Sequence, residues 1–439
     1  MKKHFASLAL TSLFALSCQA STTSETVANA IKGSTLAKES KVIEWRRHLH
    51  QNPELGNREF KTSKYIETHL RSLGLEIQTG VAHTGIVAIL KGGKPGPVVA
   101  LRADMDALPV KERTDVPFAS TAVGEYYGEE VPVMHACGHD THMAILMGAA
   151  EILSEMKDQL PGTVKFLFQP AEEGSPRGEE GGAELMVKEG ALKNPDVDAV
   201  FGLHISAGTN VGEINIRKEG IMASVDDFKM IVKGKQAHGS TPWDSIDPIV
   251  TAAQIINGLQ TIVSRHMPLT SQASVVTVGA IHGGVRSNII PEQVEMLGTI
   301  RTLSQKDRDN IHEHVRNKAK LIGESMNADV EVLLPYSSAY PVTYNNPELT
   351  EKMMPTIESV AGKNKVNIIN PITGAEDFSF FAQEVPGVYF FVGGKPLDTP
   401  REEAAPHHTP DFYIDESGLK LGVEVMTRLA VDYLNLHAK

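Results

Sequence analysis

The pattern of apolar and polar positions from about residue 41 to 73 reads as helical, broken once at Asn52-Pro53-Glu54-Leu55-Gly56, where proline and glycine predict a turn. Two strand-like runs follow, residues 86–90 and 98–102, joined by Gly92-Gly93-Lys94-Pro95-Gly96-Pro97. Residues 143–160 read as an amphipathic helix, 163–168 as an apolar strand, 183–189 as a short helix, and 199–203 as a strand ending at His204. Strands alternating with helices predict an α/β domain with a mostly parallel, doubly wound sheet. Three of the strands deliver polar residues just beyond their C-terminal ends, where such sheets place their ligands.

The pattern changes near residue 218. Strand (227–233), helix (248–265), strand (273–280), strand (293–300), helix (305–326) and strand (329–333) give a βαββαβ order, that of a ferredoxin-like α+β unit. It predicts a domain inserted at 218–333 into a main domain formed by 21–217 and 334–439. The main domain resumes with a helix from Pro347, a strand at 388–392 and a closing helix at 416–436.

The N-terminus stands apart. Lys2 and Lys3 precede an apolar segment at 5–16, and Ser17-Cys18-Gln19-Ala20 offers small residues for cleavage, so residues 1–20 read as a secretory signal peptide. Ala15-Leu16-Ser17-Cys18 also fits a lipoprotein site, with Cys18 lipidated. Either route predicts an exported protein, periplasmic or secreted, and no apolar run in the body is long enough to span a bilayer.

Composition narrows this further. A chain of 439 residues exceeds one ordinary core, and 41% hydrophobic with 22% charged residues fits a soluble globular enzyme. The net charge of −12, with no compensating basic patch, excludes a phosphate-backbone binder. Of the 2 cysteines, Cys18 is removed or lipidated, which leaves Cys137 as a lone thiol in an oxidising compartment. Such a thiol is a liability unless it is buried, metal-bound or used in chemistry.

Cys137 lies in the stretch Met134-His135-Ala136-Cys137-Gly138-His139-Asp140-Thr141-His142. One glycine separates Cys137 from His139, so a sharp turn brings both to one ion; the plain alternative is a helix start capped by Asp140. Glu172-Glu173 follows an apolar strand and Pro170, and neighbouring side chains on an extended segment point apart. One carboxylate can therefore bind metal while the other serves as general base. Asp104 and Asp106 point the same way from an extended segment, either as ligands or to orient a ligand imidazole. With His204 at a strand end and His408 in Pro406-His407-His408-Thr409-Pro410, the candidate ligands are Cys137, His139, Glu173, His204 and His408. Thiolate and imidazole favour zinc over magnesium or calcium. Two such ions, about 3.5–4 Å apart, could share a hydroxide nucleophile. In the insert, His238 and Asn288 are placed to bind a substrate oxyanion or carboxylate if that domain folds over the cleft.

These motifs resemble those of the aminoacylase/carboxypeptidase-like dinuclear metallopeptidases, in the amidohydrolase branch that holds hippurate hydrolases, indole-acetyl-amino-acid hydrolases and N-acetyldiaminopimelate deacetylases. The markers are Arg102-Ala103-Asp104-Met105-Asp106-Ala107-Leu108-Pro109, Cys137-Gly138-His139-Asp140, Gln169-Pro170-Ala171-Glu172-Glu173-Gly174, Gly202-Leu203-His204 and Gly374-Ala375-Glu376-Asp377-Phe378-Ser379, across residues 41–436. The resemblance implies a catalytic domain of the zinc-dependent exopeptidase type interrupted by a lid or dimerisation domain. It places Cys137, His139, Glu173, His204 and His408 on metal-ligand positions and Glu172 on the general base. It places Asp106 on an aspartate that steadies a ligand, His238 on a histidine that reaches an active site (often the partner subunit's), and Asn288 in a substrate-contacting motif. Asp104 stands where many members carry a ligand histidine, and Cys137 where many carry a bridging carboxylate, as is typical of this branch. The 174–182 loop looks longer than in compact relatives.

The expected function is hydrolysis of the amide bond of N-acyl amino acids, or of small peptides with a free carboxylate. It would use one or two divalent ions, zinc first, with manganese, cobalt or nickel as alternatives. A dipeptidase or carboxypeptidase activity, a metal-independent cysteine hydrolase using Cys137 with His139 as base, and an exported binding protein without turnover are the competing readings.

Overall fold

The computed structural model describes residues 24–438 apart from 269, 271 and 338, so the expected signal peptide and Cys18 lie outside the described residues. The first helix, α1 (Glu25–Gln51), begins well before residue 41. The side chain of Ser24 accepts the Val27 amide at 3.4 Å, Glu25 occupies the first turn, and Ile31, Val42, Trp45 and Leu49 are buried, so packing overrides the poor helix propensity around it. After the turn comes α2 (Phe60–Ser72).

The main-sheet strands follow as β1 (Glu76–Val81), β2 (Gly85–Lys91) and β3 (Lys94–Asp104), then helix α3 (His139–Glu155), β4 (Pro161–Gln169), β5 (Ala199–Asn210) and β6 (Ile214–Ile216). The insert comprises β7 (Val225–Lys233), α4 (Pro248–Thr261), β8 (Ser274–Gly283), β9 (Gln293–Thr302), α5 (Gln305–Ser325) and β10 (Asp329–Leu333). The chain returns with α6 (Pro347–Ala361), β11 (Val366–Ile368), β12 (Gly387–Lys395) and α7 (Leu419–His437).

The main sheet has the order β1-β2-β4-β3-β5-β12-β6-β11. Its centre, β4-β3-β5-β12, is parallel throughout, and antiparallel pairs occur only towards the edges. Residues of α1, α3, α6 and α7 pack on one face, while a second core with Phe378, Phe381 and Tyr389 fills the other. β5 does not stop at residue 203. It continues to Asn210 because β12 runs beside it as far as Lys395, and His204 therefore sits within a paired strand opposite Phe391.

The insert forms an antiparallel sheet in the order β10-β7-β9-β8, the ferredoxin-like arrangement of its βαββαβ sequence, and Ala339–Tyr340 adds to β7 from beyond residue 333. It has its own core, in which Phe228 and Met230 meet Ile255, Leu259, Ile311 and Val315. Among the described residues no helix is long and apolar enough to cross a membrane.

Candidate metal centre

The centre is built beyond the C-terminal ends of β3 and β4 and at His204 within β5, where the first turn of α3 meets them. Gly138 makes the turn possible. Its φ is +98°, and a Cβ there would lie 2.3 Å from Ile205 Cγ2, so only glycine fits. Cys137 and His139 converge across it, as the one-residue spacing predicts. Asp140, however, is not the cap of α3. Gly138 holds that position without a side-chain bond, and the Asp140 carboxylate takes Arg46 Nε at 2.7 Å and His50 Nδ1 at 2.8 Å instead. A buried cation outcompetes the helix amides for it.

Two donor groups share the thiol: Cys137, His139 and His204 form one, and Cys137, Glu173 and His408 the other. His204 Nε2 and His408 Nε2 each lie 3.3 Å from Cys137 Sγ, and His408 Nε2 is 2.9 Å from Glu173 Oε1. His139 Nε2 stands 3.9 Å from Glu172 Oε2 and 4.0 Å from Glu173 Oε1, buried and without a hydrogen-bond partner. Its Nδ1–H donates to the Asp106 carbonyl at 2.8 Å, and His204 Nδ1–H donates to the Ile205 carbonyl at 2.5 Å. Both rings thus keep the Nε2 lone pair free, as a metal ligand requires.

The electrostatics call for a cation. Burial, then Glu173 and Glu172, push the Cys137 thiol well up. Burial together with Glu376 and Glu173 pushes Glu172 well up too. Burial would depress His139, but Asp104 and Asp106 outweigh it and raise the ring to about 10. An ion among these groups reverses all three tendencies by supplying the missing positive charge. The orphaned His139 nitrogen and the thiolate–imidazole–carboxylate donor set fit zinc-like metals.

Asp106 lies outside these two donor groups, with Oδ1 3.4 Å from His139 Nδ1. Its two oxygens accept the Glu172 amide at 3.0 Å and the Glu173 amide at 2.9 Å, and so fix both acidic residues at the end of β4. Tyr340 Oη donates to the Glu172 carbonyl at 2.9 Å. His407 is drawn inward, with Nδ1 bonded to the Cys137 carbonyl at 3.0 Å and Nε2 accepting the Ala207 amide at 3.1 Å, whereas His408 faces the thiol.

His238 and Asn288 are not brought to this centre within the chain. Both are exposed, His238 on the short strand Ala237–His238 and Asn288 in the turn just before its partner strand Ile289–Ile290, in a groove of about 500 Å³ shared with Arg286 and Glu292. The cavity that does open on Asp106 and Glu173, of about 1120 Å³, is lined instead by residues 51–56, 107–109 and 121–128, with Arg58, Lys61, Val133, Pro176, Arg177 and Glu179. The 174–182 loop contributes its Arg177, which lies over the Tyr127 ring at 5.6 Å.

Sequence reasoning gave Arg102 no role beyond its place in a marker motif. This fully buried guanidinium binds Gln169, Asp104, Glu376 and Asp377 at 2.6–3.0 Å and so ties the ends of β3 and β4 to the 376–377 turn. A charge inside the apolar run 98–103 was the available signal, because a buried arginine needs partners.

A sheet with a parallel centre that gathers a thiol, imidazoles and paired carboxylates around one point is the frame of a metal-dependent hydrolase. The chain matches the model of peptidase family M20/M25/M40 over residues 100–432 and belongs to that family. It is 41% identical over 406 residues to thermostable carboxypeptidase 2 of Saccharolobus solfataricus, covering 92% of this chain and 98% of that one. It is 37% identical to the IAA-amino acid hydrolase ILR1-like 2 of Arabidopsis thaliana, covering 91% of this chain and 87% of the relative. Among solved structures it is similar to a dinuclear metal-binding M20 peptidase of Bacillus subtilis, with a TM-score of 0.74, 33% identity, and coverage of 91% of this chain and 99% of that one.

Proposed function

We propose that the protein hydrolyses the amide bond of N-acyl amino acids, or of small peptides with a free carboxylate, with Glu172 as the general base. The observation that carries this reading is the clamp of Asp106 on the Glu172 and Glu173 amides, which aims one carboxylate at the donor groups and leaves the other beside them. The printed names of the relatives, a carboxypeptidase and an IAA-amino acid hydrolase, support this substrate class.

Cys137, His139, Glu173, His204 and His408 would hold divalent ions, zinc first by donor chemistry. Such ions supply a nucleophilic water at neutral pH and polarise the scissile carbonyl. Glu172 takes a proton from the attacking water and passes it to the leaving amine. Its carboxylate, buried 3.9 Å from His139 Nε2 beside the donor groups, is placed to hold that proton between the two steps. The cavity beside Glu173 receives the substrate, with Leu55, Ala107 and Val133 as an apolar floor. Cysteine catalysis with His139 as base fits less well. The thiol is pushed up and the His139 Nε2 it would need has no hydrogen-bond partner.

His238 and Asn288, exposed on the insert, serve the site of a second copy of the chain in this reading, so residues 218–333 act as lid and dimer contact. The Lys2–Ala20 pattern supports export. Glu172→Gln tests the core of the proposal. It should keep its metal content while kcat falls by roughly 10³-fold or more. Near-wild-type turnover would remove Glu172 from the role.

A further inference from the structure

Arg102, Asp104 and His142 take no part in the reaction as written, yet they lie directly beneath the metal centre. His142 is buried in the first turn of α3, and its ring stands 4.6 Å from that of His204, edge to face. Its ligand atoms lie close enough to those of Asp104 and His139 for the three to hold an ion. The hydrogen bonds assign it other work. The Ile205 amide lies 2.8 Å from His142 Nε2, and an amide can only donate, so Nε2 spends its lone pair there and Nδ1 carries the proton. That proton goes to Asp104 Oδ1 at 2.6 Å, and the other Asp104 oxygen accepts from Arg102 at 2.6 Å. No lone pair remains on His142 for a metal.

What His142 holds is the peptide that orients a ligand. β3 pairs with β5 only as far as Arg102 beside Gly202, so Ile205 has lost that sheet neighbour. His142 replaces it at the Ile205 amide, and the Ile205 carbonyl accepts His204 Nδ1–H at 2.5 Å. The second bond fixes the tautomer that turns His204 Nε2 to Cys137, 3.3 Å away.

We propose that His142, anchored by Asp104, is a positioning residue that sets the tautomer and ring direction of His204 through Ile205, and so governs the affinity of one ion without touching it. This rests on the reading of His204 as a ligand. The test is metal binding by the intact protein. His142→Gln and Asp104→Asn are titrated with zinc against a chromophoric chelator, and cobalt-loaded samples give a metal count and a visible spectrum. Expected is wild-type stoichiometry and an unchanged cobalt spectrum at saturation, with the affinity for one ion reduced roughly 10–100-fold in both variants. Asp104→Asn, nearly isosteric, carries the test if the glutamine variant does not fold. Unchanged affinity would overturn the proposal, and so would a lost ion or altered cobalt spectrum at saturation, since either would make His142 a ligand. His204→Ala is the control. If it retained the full metal count, the ligand reading itself would fail, a different failure from that of the positioning role.

Discussion

Beside the ends of β3 and β4, Cys137, His139, Glu172 and His204 are buried around a common set of donor atoms, whereas in the insert His238, on a two-residue strand, and Asn288, in the turn before its partner strand, stand exposed. The contrast follows from solvation. A buried polar group must find a partner within the fold, so Asp106, Ile205 and Arg102 fix the main-domain residues to within a hydrogen bond. An exposed histidine is satisfied by water and nearby loop groups, here the Ser240 amide 3.1 Å from His238 Nδ1. Its working position is then set by whatever later packs against it. One region carries finished geometry, and in the proposed reading the other carries half of an interface.

The largest effect that could break this contrast is metal removal. Chelation should abolish turnover and lower the melting temperature, because ions bound only to the folded state stabilise it by about 4 kcal/mol at a thousand times their Kd. Zinc should restore both, as read by activity assays and thermal melts. His238→Ala should leave the chelation-dependent melting shift unchanged. Activity that survives chelation but not thiol alkylation would instead place the chemistry on Cys137.

The next effect concerns how the insert's half is completed. His238→Ala alone should cost on the order of 10²-fold in kcat, the scale for loss of one oxyanion donor, with metal content intact. Mixed after partial dissociation, Glu172→Gln and His238→Ala subunits should regain partial activity, because each heterodimer then holds one complete site. If the mixture stays as inactive as its parents while gel filtration shows exchanged dimers, His238 serves its own chain and the contrast dissolves.

How far the sequence disclosed all this follows the same division. That Cys137, His139, Glu173, His204 and His408 come together was legible from scarce donor types read jointly with the family motifs, since a paired loop histidine such as His408 is by itself more often exposed than a ligand. The βαββαβ order was legible from alternating patterns over long elements. β1 was not, because only Val81 of its residues is buried and an edge strand facing water carries no period. The cap at Asp140, the plain alternative for this stretch, stayed open on sequence grounds because the competing Arg46 lies 94 residues away in the chain, a separation that local rules do not see. His142 received no role of its own from the sequence for the same reason. Its task depends on where β3 stops pairing with β5, a property of the sheet and not of the motif.

The smallest effect asks whether the insert is as self-contained as its separate core suggests. Asp226 at the start of β7 is fully buried, with Arg308 at 2.6 and 2.7 Å and His312 Nε2 at 3.1 Å. Burial alone would push its carboxyl up, but Arg308 and His312 outweigh burial and hold it below the usual range. A depressed folded-state acid contributes fully above the unfolded carboxylate value of about 3.9, and loses that contribution as pH falls through the folded value. Asp226→Asn should therefore cost roughly 3 kcal/mol at neutral pH, as when one partner of a buried pair is removed, and progressively less in acid. The 2 tryptophans allow the cost to be located. In a Trp243→Phe background the buried Trp45 reports on the main domain alone. Denaturant melts followed by circular dichroism should then show an early transition that Trp45 fluorescence does not. If both signals shift together, the insert and the metal-bearing domain unfold as one unit, and the exposed groove of His238 is held by the same cooperative core that fixes the metal centre.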